Sequence, residues 1–244
     1  MRIEYFGNYD EMSDRAAEIV AKQVGNGLRG SSVLGLPTGS TPLGMYKKLI
    51  KMNEAGKVDF SETVTYNLDE YYPIKKDHPQ SYYKFMCDNF FDKININPEN
   101  INIPNGETDN IDLECKEYEF KIRGGSGLLH NGIDLMILGL GANGHIGFNE
   151  PGDVLLPDTH IADLTEDTRE MNKRFFDSID KVPTKAITMG IGSILKSKKI
   201  LLLVSGDAKK RAFKKFLDTT VRTRNPVSFL HLHKDVTVLS DIQL

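Results

Sequence analysis

Only two cysteines, Cys87 and Cys115, occur in the 244 residues, at a spacing that fits neither a metal site nor a disulfide framework. His78, His130, His160, His231 and His233 share no metal-ligand spacing, so they read as structural or surface residues and no metal is expected. No apolar run approaches the length of a membrane span, and the N-terminus, MRIEYFGNYDEM, lacks the apolar core of a signal peptide. A cytoplasmic protein with no membrane partner is therefore expected. Excess charge is missing too: the formal net charge of −3 gives no electrostatic reason to expect a nucleic-acid partner. Repeats, low-complexity tracts and linkers are absent, so a single domain over residues 1–244 is expected. Nothing in the sequence decides between a monomer and a homo-oligomer.

What is present is an alternation of short apolar runs with amphipathic segments. Ile3–Phe6, Ser32–Leu36, Thr63–Leu68, Ile101–Ile103, Leu135–Leu138, Ala186–Met189, Ile200–Val204 and Val236–Leu239 read as strands, and Pro157–Leu164 as extended. Asp10 is the expected N-cap of a helix reaching Val24, because Met12, Ala16, Ile19, Val20 and Val24 share one face. Ser40 or Thr41 is expected to cap the next helix, with Pro42 in its first turn and Met45, Tyr46, Leu49 and Ile50 following. Further helices are expected over Ser81–Phe91, with Tyr82, Phe85, Met86, Phe90 and Phe91 as core, over Ile111–Arg123 and Glu166–Phe176, and from SGDAKKR to Leu217. The pattern predicts an α/β fold, doubly wound, with a mainly parallel sheet and helices on both faces.

Chemistry gathers where the strands end. LGLGANGHIGFNEPG, Leu138–Gly152, packs five glycines around Asn143, His145, Asn149 and Glu150 after a buried strand. His and Glu can exchange protons near neutral pH, and the C-terminal edge of a parallel sheet is where open α/β folds bind ligands. LPTGSTP joins a strand to a helix N-terminus, offering backbone N–H groups and hydroxyls suited to phosphate, though without the Gly-Lys-Ser/Thr ending of a Walker A loop. NLDEYY brings Asp69 and Glu70 to a strand end; Glu70 should point away from Asp69 if the strand persists and is left out of the site. SGDAKK adds lysines at a fourth strand end. In a parallel sheet these four ends share one edge and can form one pocket.

LGLPTGSTPLGMY, NLDEYYPI, HPQSYYKFM, LGLGANGHIGFNEPG, LTEDTREMNKRFF and SGDAKK, in this order, make the chain resemble the glucosamine-6-phosphate deaminase family along nearly its whole length. The resemblance implies isomerisation and deamination of D-glucosamine 6-phosphate, with water, to D-fructose 6-phosphate and ammonium, without a cofactor. It implies Asp69 as the base for the C2 proton, and His145 as the acid–base that opens the ring, assisted by Asn143 and Glu150. It implies a phosphate site of Gly39, Ser40, Thr41, Arg174 and Lys209, and a lid over roughly 160–188. Many members of that family carry Asp where this chain has Asn143, which changes the charge felt by His145. Members activated by N-acetylglucosamine 6-phosphate carry a serine and an Arg-x-Lys pair where this chain has Asp153, His160 and Ala162. With the chain ending at Leu244, no such activation is expected.

Two alternatives share the fold. A 6-phosphogluconolactonase typically follows its Gly-His with a Ser-Leu-Phe-Pro-like run, whereas this chain has Ile146-Gly147-Phe148-Asn149-Glu150-Pro151. A sugar-phosphate-sensing module of a transcription regulator normally follows a DNA-binding domain, for which there is no room before the first strands.

Overall fold

The computed structural model describes residues 1–25, 32–125, 132–173, 176 and 178–243. Strand β1 (Arg2–Tyr5) leads into helix α1 (Tyr9–Gly25), whose buried face carries Met12, Ala16, Ala17, Val20 and Val24. Its cap is Asn8, not Asp10: the Asn8 Oδ1 accepts the Glu11 N–H at 2.9 Å, and Glu11 reaches back to the Gly7 N–H at 3.0 Å. Strand β2 (Val33–Leu36) is buried throughout and precedes α2 (Leu43–Glu54). Neither Ser40 nor Thr41 caps that helix, and Pro42 sits at the N-cap without a side-chain bond. The Tyr9 hydroxyl accepts the Gly44 N–H at 2.7 Å instead, which leaves the two hydroxyl side chains available to the pocket.

The expected strand over Thr63–Leu68 is in fact the first half of a sheet switch. β3 (Val64–Asn67) continues the parallel sheet, and β4 (Asp69–Tyr72) begins another. Leu68 belongs to both: its N–H donates to Leu36 O at 3.1 Å, and its carbonyl accepts the Met189 N–H at 2.8 Å. There follow α3 (Tyr82–Asn89), β5 (Ile101–Asn102), α4 (Ile111–Ile122) and β6 (Leu135–Gly139). The rest is β7 (His160–Asp163), α5 (Glu166–Asn172), β8 (Lys185–Thr188), α6 (Ile191–Leu195), β9 (Lys199–Val204), α7 (Lys210–Phe216) and β10 (Val236–Ser240). The short α6 was not anticipated from the sequence.

The seven-stranded sheet has the order β1-β10-β9-β6-β2-β3-β5, and its pairs are parallel. From β2 the chain moves outward through β3 to β5, then returns to lay β6 on the other side of β2. The crevice beyond β2 and β6 is thus a point of reversal, the usual ligand position in such sheets. A three-stranded antiparallel sheet, β4-β8-β7, stands beside it. It makes Ala186–Met189 part of a different layer from Ile200–Val204, a distinction that apolar runs do not encode.

Both faces of the main sheet are covered. β9 places Ile200, Leu202 and Val204 in one core with Phe213, Phe216 and Ile194, and Leu201 and Leu203 in the other with Val20, Met45 and Tyr46. At about 1.5–3 kcal/mol per buried aliphatic side chain, this strand alone contributes on the order of 10 kcal/mol of burial. The rigid sheet that results holds the strand ends in register. Among the described residues, no helix is long and apolar enough to cross a membrane.

Candidate active site

The ends of β2, β3, β6 and β9 open into one cleft of about 220 Å³, lined by Gly39, Ser40, Thr41, Asp69, His145 and Lys209 among others. Six residues singled out by the sequence are thereby brought together. Arg174 lies outside the described residues. Asn143 and Glu150 do not line the cleft; they stand behind His145.

The His145 assembly is local. The Asn143 Oδ1 accepts the His145 backbone N–H at 3.1 Å, and its Nδ2 donates to Glu150 Oε2 at 2.7 Å. The other Glu150 oxygen accepts the Thr168 hydroxyl at 2.5 Å and lies 3.3 Å from His145 Nδ1. That last pair is within ion-pair range but not aligned as a hydrogen bond, so Nδ1 has no hydrogen-bond partner among the described residues. Burial alone would raise the Glu150 carboxyl. The charge of His145, with the Thr168 and Asn143 donors, outweighs it and holds Glu150 below the usual carboxylate range. The anionic Glu150 faces the Nδ1 side of the ring.

Two glycines fit this loop to its task. A Cβ on Gly141 would lie 2.3 Å from His145 Cδ2, so the ring packs directly on the backbone there. Gly147, at φ 57°, carries the loop past β4; a Cβ at that point would stand 3.5 Å from Asp69 Oδ2 and 3.0 Å from Thr188 Oγ1.

Asp69 is 6% exposed, and its carboxylate accepts no hydrogen bond from any described residue. Burial, and then the charge of Glu70, push it up to about 8. A carboxylate so poorly solvated is a strong base for its type. At the far side, Gly39 adopts φ 91°, and the N–H groups of Gly39, Ser40 and Thr41 have no acceptor among the described residues. With Lys209, on the 3₁₀ turn Asp207–Lys209 after β9, they form a cradle for an anion.

The cleft is also lined by residues outside the expected site, Tyr82, Phe148 and Thr168 among them. Tyr82 was read as core, but it faces the cleft from the first turn of α3 while its ring packs on Tyr71 and Phe148, with centroids 4.7 and 6.1 Å away. Thr168 carried a signal in LTEDTREM, although only a tertiary contact joins it to Glu150. Of the other described histidines, His231 Nε2 and His233 Nε2 each lie 2.7 Å from a backbone carbonyl, His160 Nδ1 lies 2.8 Å from Asp158 O, and His78 Nδ1 accepts the Gln80 N–H at 3.0 Å. Among the described residues no group of three or more His, Cys, Asp or Glu could hold a metal ion.

A parallel sheet whose strand ends bring a histidine and a buried carboxylate over an anion cradle can hold a small anionic substrate and move protons on it. The sequence profile described as glucosamine-6-phosphate isomerases/6-phosphogluconolactonase matches residues 7–239, and the chain belongs to that family. Its curated relatives include glucosamine-6-phosphate deaminases from Thermoanaerobacter sp. (strain X514) and Clostridium botulinum (strain Hall). Each is 52% identical over 241 residues, covering 99% of this chain and 92% and 96% of those proteins. A solved monomeric glucosamine-6-phosphate deaminase superimposes with a TM-score of 0.93 at 44% identity, covering 98% of this chain and 97% of that one. The 6-phosphogluconolactonase of Thermotoga maritima, at 22% identity and a TM-score of 0.73 over 98% of this chain and 96% of that one, shares the fold.

Proposed function

We propose that this chain converts D-glucosamine 6-phosphate and water to D-fructose 6-phosphate and ammonium, with Asp69, His145, Glu150 and Asn143 at the reacting end and Gly39, Ser40, Thr41, Lys209 and Arg174 at the phosphate. The observation that carries the assignment is the single cleft that holds a largely buried carboxylate, a carboxylate-backed histidine and an anion cradle. Phosphate bound by the cradle and by charged side chains positions the sugar through groups remote from the reaction.

His145 moves the proton between the ring oxygen and the C1 hydroxyl, opening the pyranose. Glu150 stabilises the imidazolium, and Asn143 and Thr168 fix Glu150 in place. Asp69 then removes the proton from C2, which the C1 carbonyl acidifies, and returns it to C1, while a second proton passes from the C2 amine to O1. The resulting C2 imine takes up water and releases ammonia, leaving the ketose. Asn143, unlike an aspartate, orients without adding negative charge. The segment 160–188, framed by β7 and β8 and carrying Thr168, is the lid that closes over the bound sugar.

Solvent-deuterium exchange at C2, followed together with ammonia release in wild type and Asp69→Asn, tests the assignment. Wild type is expected to exchange C2 hydrogen and release ammonia, and the variant to fold and do neither. Wild-type exchange by the variant would remove Asp69 as the base. No ammonia release by wild type would refute the activity.

A further inference from the structure

The residue next to the proposed base is a second buried carboxylate that no step of the reaction uses. We infer that Glu70 is a positioning residue for the deamination: its carboxylate anchors the N-terminus of α3, holds Tyr82 against the cleft and stands beside Asp69 as the charge in whose field Asp69 works. The inference rests on Asp69 as the proton acceptor.

Glu70 is 2% exposed, and its carboxylate faces away from the cleft, as alternation along β4 requires. Oε1 accepts the N–H groups of Tyr71 at 2.9 Å and Tyr82 at 2.8 Å, and Oε2 accepts that of Tyr83 at 2.9 Å. Tyr82 and Tyr83 open α3, and the next N–H, of Lys84, donates to the Ser81 hydroxyl at 3.0 Å. The first three N–H groups of the helix are therefore met by two side chains. One of these is an anion at the positive end of the helix. Because Tyr82 forms a wall of the cleft, this anchor also fixes the shape of the site.

The two adjacent carboxylates differ in one decisive respect. Three backbone donors point at Glu70, while Asp69 receives none from the described residues. Donors of this kind favour the ionised form. Burial pushes Glu70 up to about 7 against their pull, and pushes Asp69 to about 8 with the help of the Glu70 charge. Because three donors hold the Glu70 charge and none of the described residues donates to Asp69, Glu70 ionises first and Asp69 titrates in its field.

Among the described residues, no cation pairs with the Glu70 carboxylate, whose bonds are to backbone N–H groups. The opposing residues on β8, Ile187 and Thr188, are uncharged. Lys76 and Glu107 share a cleft with Glu70, but the Lys76 ammonium lies over the Tyr83 ring, 3.9 Å from its centroid. On the Asp69 side, His145 and Lys209 line the same cleft, and the phenols of Tyr71, Tyr82 and Tyr118 sense Asp69 without ionising at neutral pH.

The test is the pH profile of kcat/KM for wild type, Glu70→Gln, Glu70→Asp and Asp69→Asn, with C2 exchange measured on each. Removing the charge in Glu70→Gln should move the acid limb on the order of one pH unit toward acid and lower kcat far more than it changes KM. Glu70→Asp keeps the charge and should keep the wild-type acid limb, whatever its kcat. A slower Glu70→Gln with an unmoved acid limb overturns the inference while the role of Asp69 stands. Exchange by Asp69→Asn at the wild-type rate overturns both. If Glu70→Gln does not fold, carboxyl-carbon NMR titration of the wild-type protein decides: Glu70 must lose its proton at lower pH than Asp69, and the reverse order overturns the inference.

Discussion

Asp69→Asn should make the protein more stable at alkaline pH while abolishing its chemistry. The side chains are nearly the same size, so the change is one of charge. A free aspartyl group has a pKa of 3.8, and burial with the neighbouring Glu70 raises Asp69 to about 8. The folded protein therefore holds this proton more tightly than the unfolded chain does. The stability so contributed is complete below about pH 4 and is lost as pH rises through about 8. Each pH unit between is worth about 1.4 kcal/mol, so ionised Asp69 costs on the order of 6 kcal/mol at most. The asparagine amide meets no ready partner and returns about 1–3 kcal/mol of that, leaving a gain of about 3 kcal/mol near pH 8. Urea unfolding reads it directly: with a slope of about 2–3 kcal/mol per molar, the midpoint should rise by about 1 M. The gain should shrink steadily toward about pH 4. Equal midpoints at pH 8, or a gain that does not vary with pH, would show that Asp69 is not an unsolvated carboxylate, and the argument for its basicity would fail with it.

Three further outcomes are expected. Lys209→Ala should reduce kcat/KM for glucosamine 6-phosphate by about 10- to 150-fold, the loss of one charge-assisted bond of about 1.5–3 kcal/mol, and leave any trace activity on unphosphorylated glucosamine unchanged; equal losses on both would assign Lys209 to folding. Gly141→Ala puts a methyl group where the His145 ring packs, 2.3 Å from Cδ2. Displacing that ring by about 1 Å should lower kcat about a hundredfold with an unaltered circular dichroism spectrum, and wild-type turnover would contradict the placement of His145. Initial rates should be hyperbolic in glucosamine 6-phosphate with or without N-acetylglucosamine 6-phosphate, because the Asp153 carboxylate already engages Arg224 at 2.6 Å and would repel a phosphate, and Ala162 offers no donor; a sigmoidal curve made hyperbolic by the acetylated sugar would refute this.

Local sequence carried the parts that local physics controls. Ile200–Val204 is apolar at every position and could only be a strand buried on both faces, and the glycine-rich Leu138–Gly152 could only be a close-packed loop at its strand's end. Asn143, His145 and Glu150 are near neighbours in the chain, and the family resemblance implied their partnership, while the anion cradle was legible in LPTGSTP itself. What the tertiary structure alone decided were contacts between residues far apart in sequence. The run through Leu68 looked like one strand because periodicity does not say which sheet a strand joins; the carbonyl of Leu68 answers Met189, over a hundred positions later, and so Asp69 begins an antiparallel strand. Several polar residues cluster at the starts of α1 and α2, so local sequence does not single out a cap, and packing selects Asn8 for one and the distant Tyr9 hydroxyl for the other. Thr168 joins Glu150, and Glu70 meets the N–H groups of α3, only after the small sheet and its helices have docked. A hydrogen bond acts over about 3 Å of space at any distance along the chain. The sequence by itself determined which groups could do the chemistry, and the fold determined which of them touch.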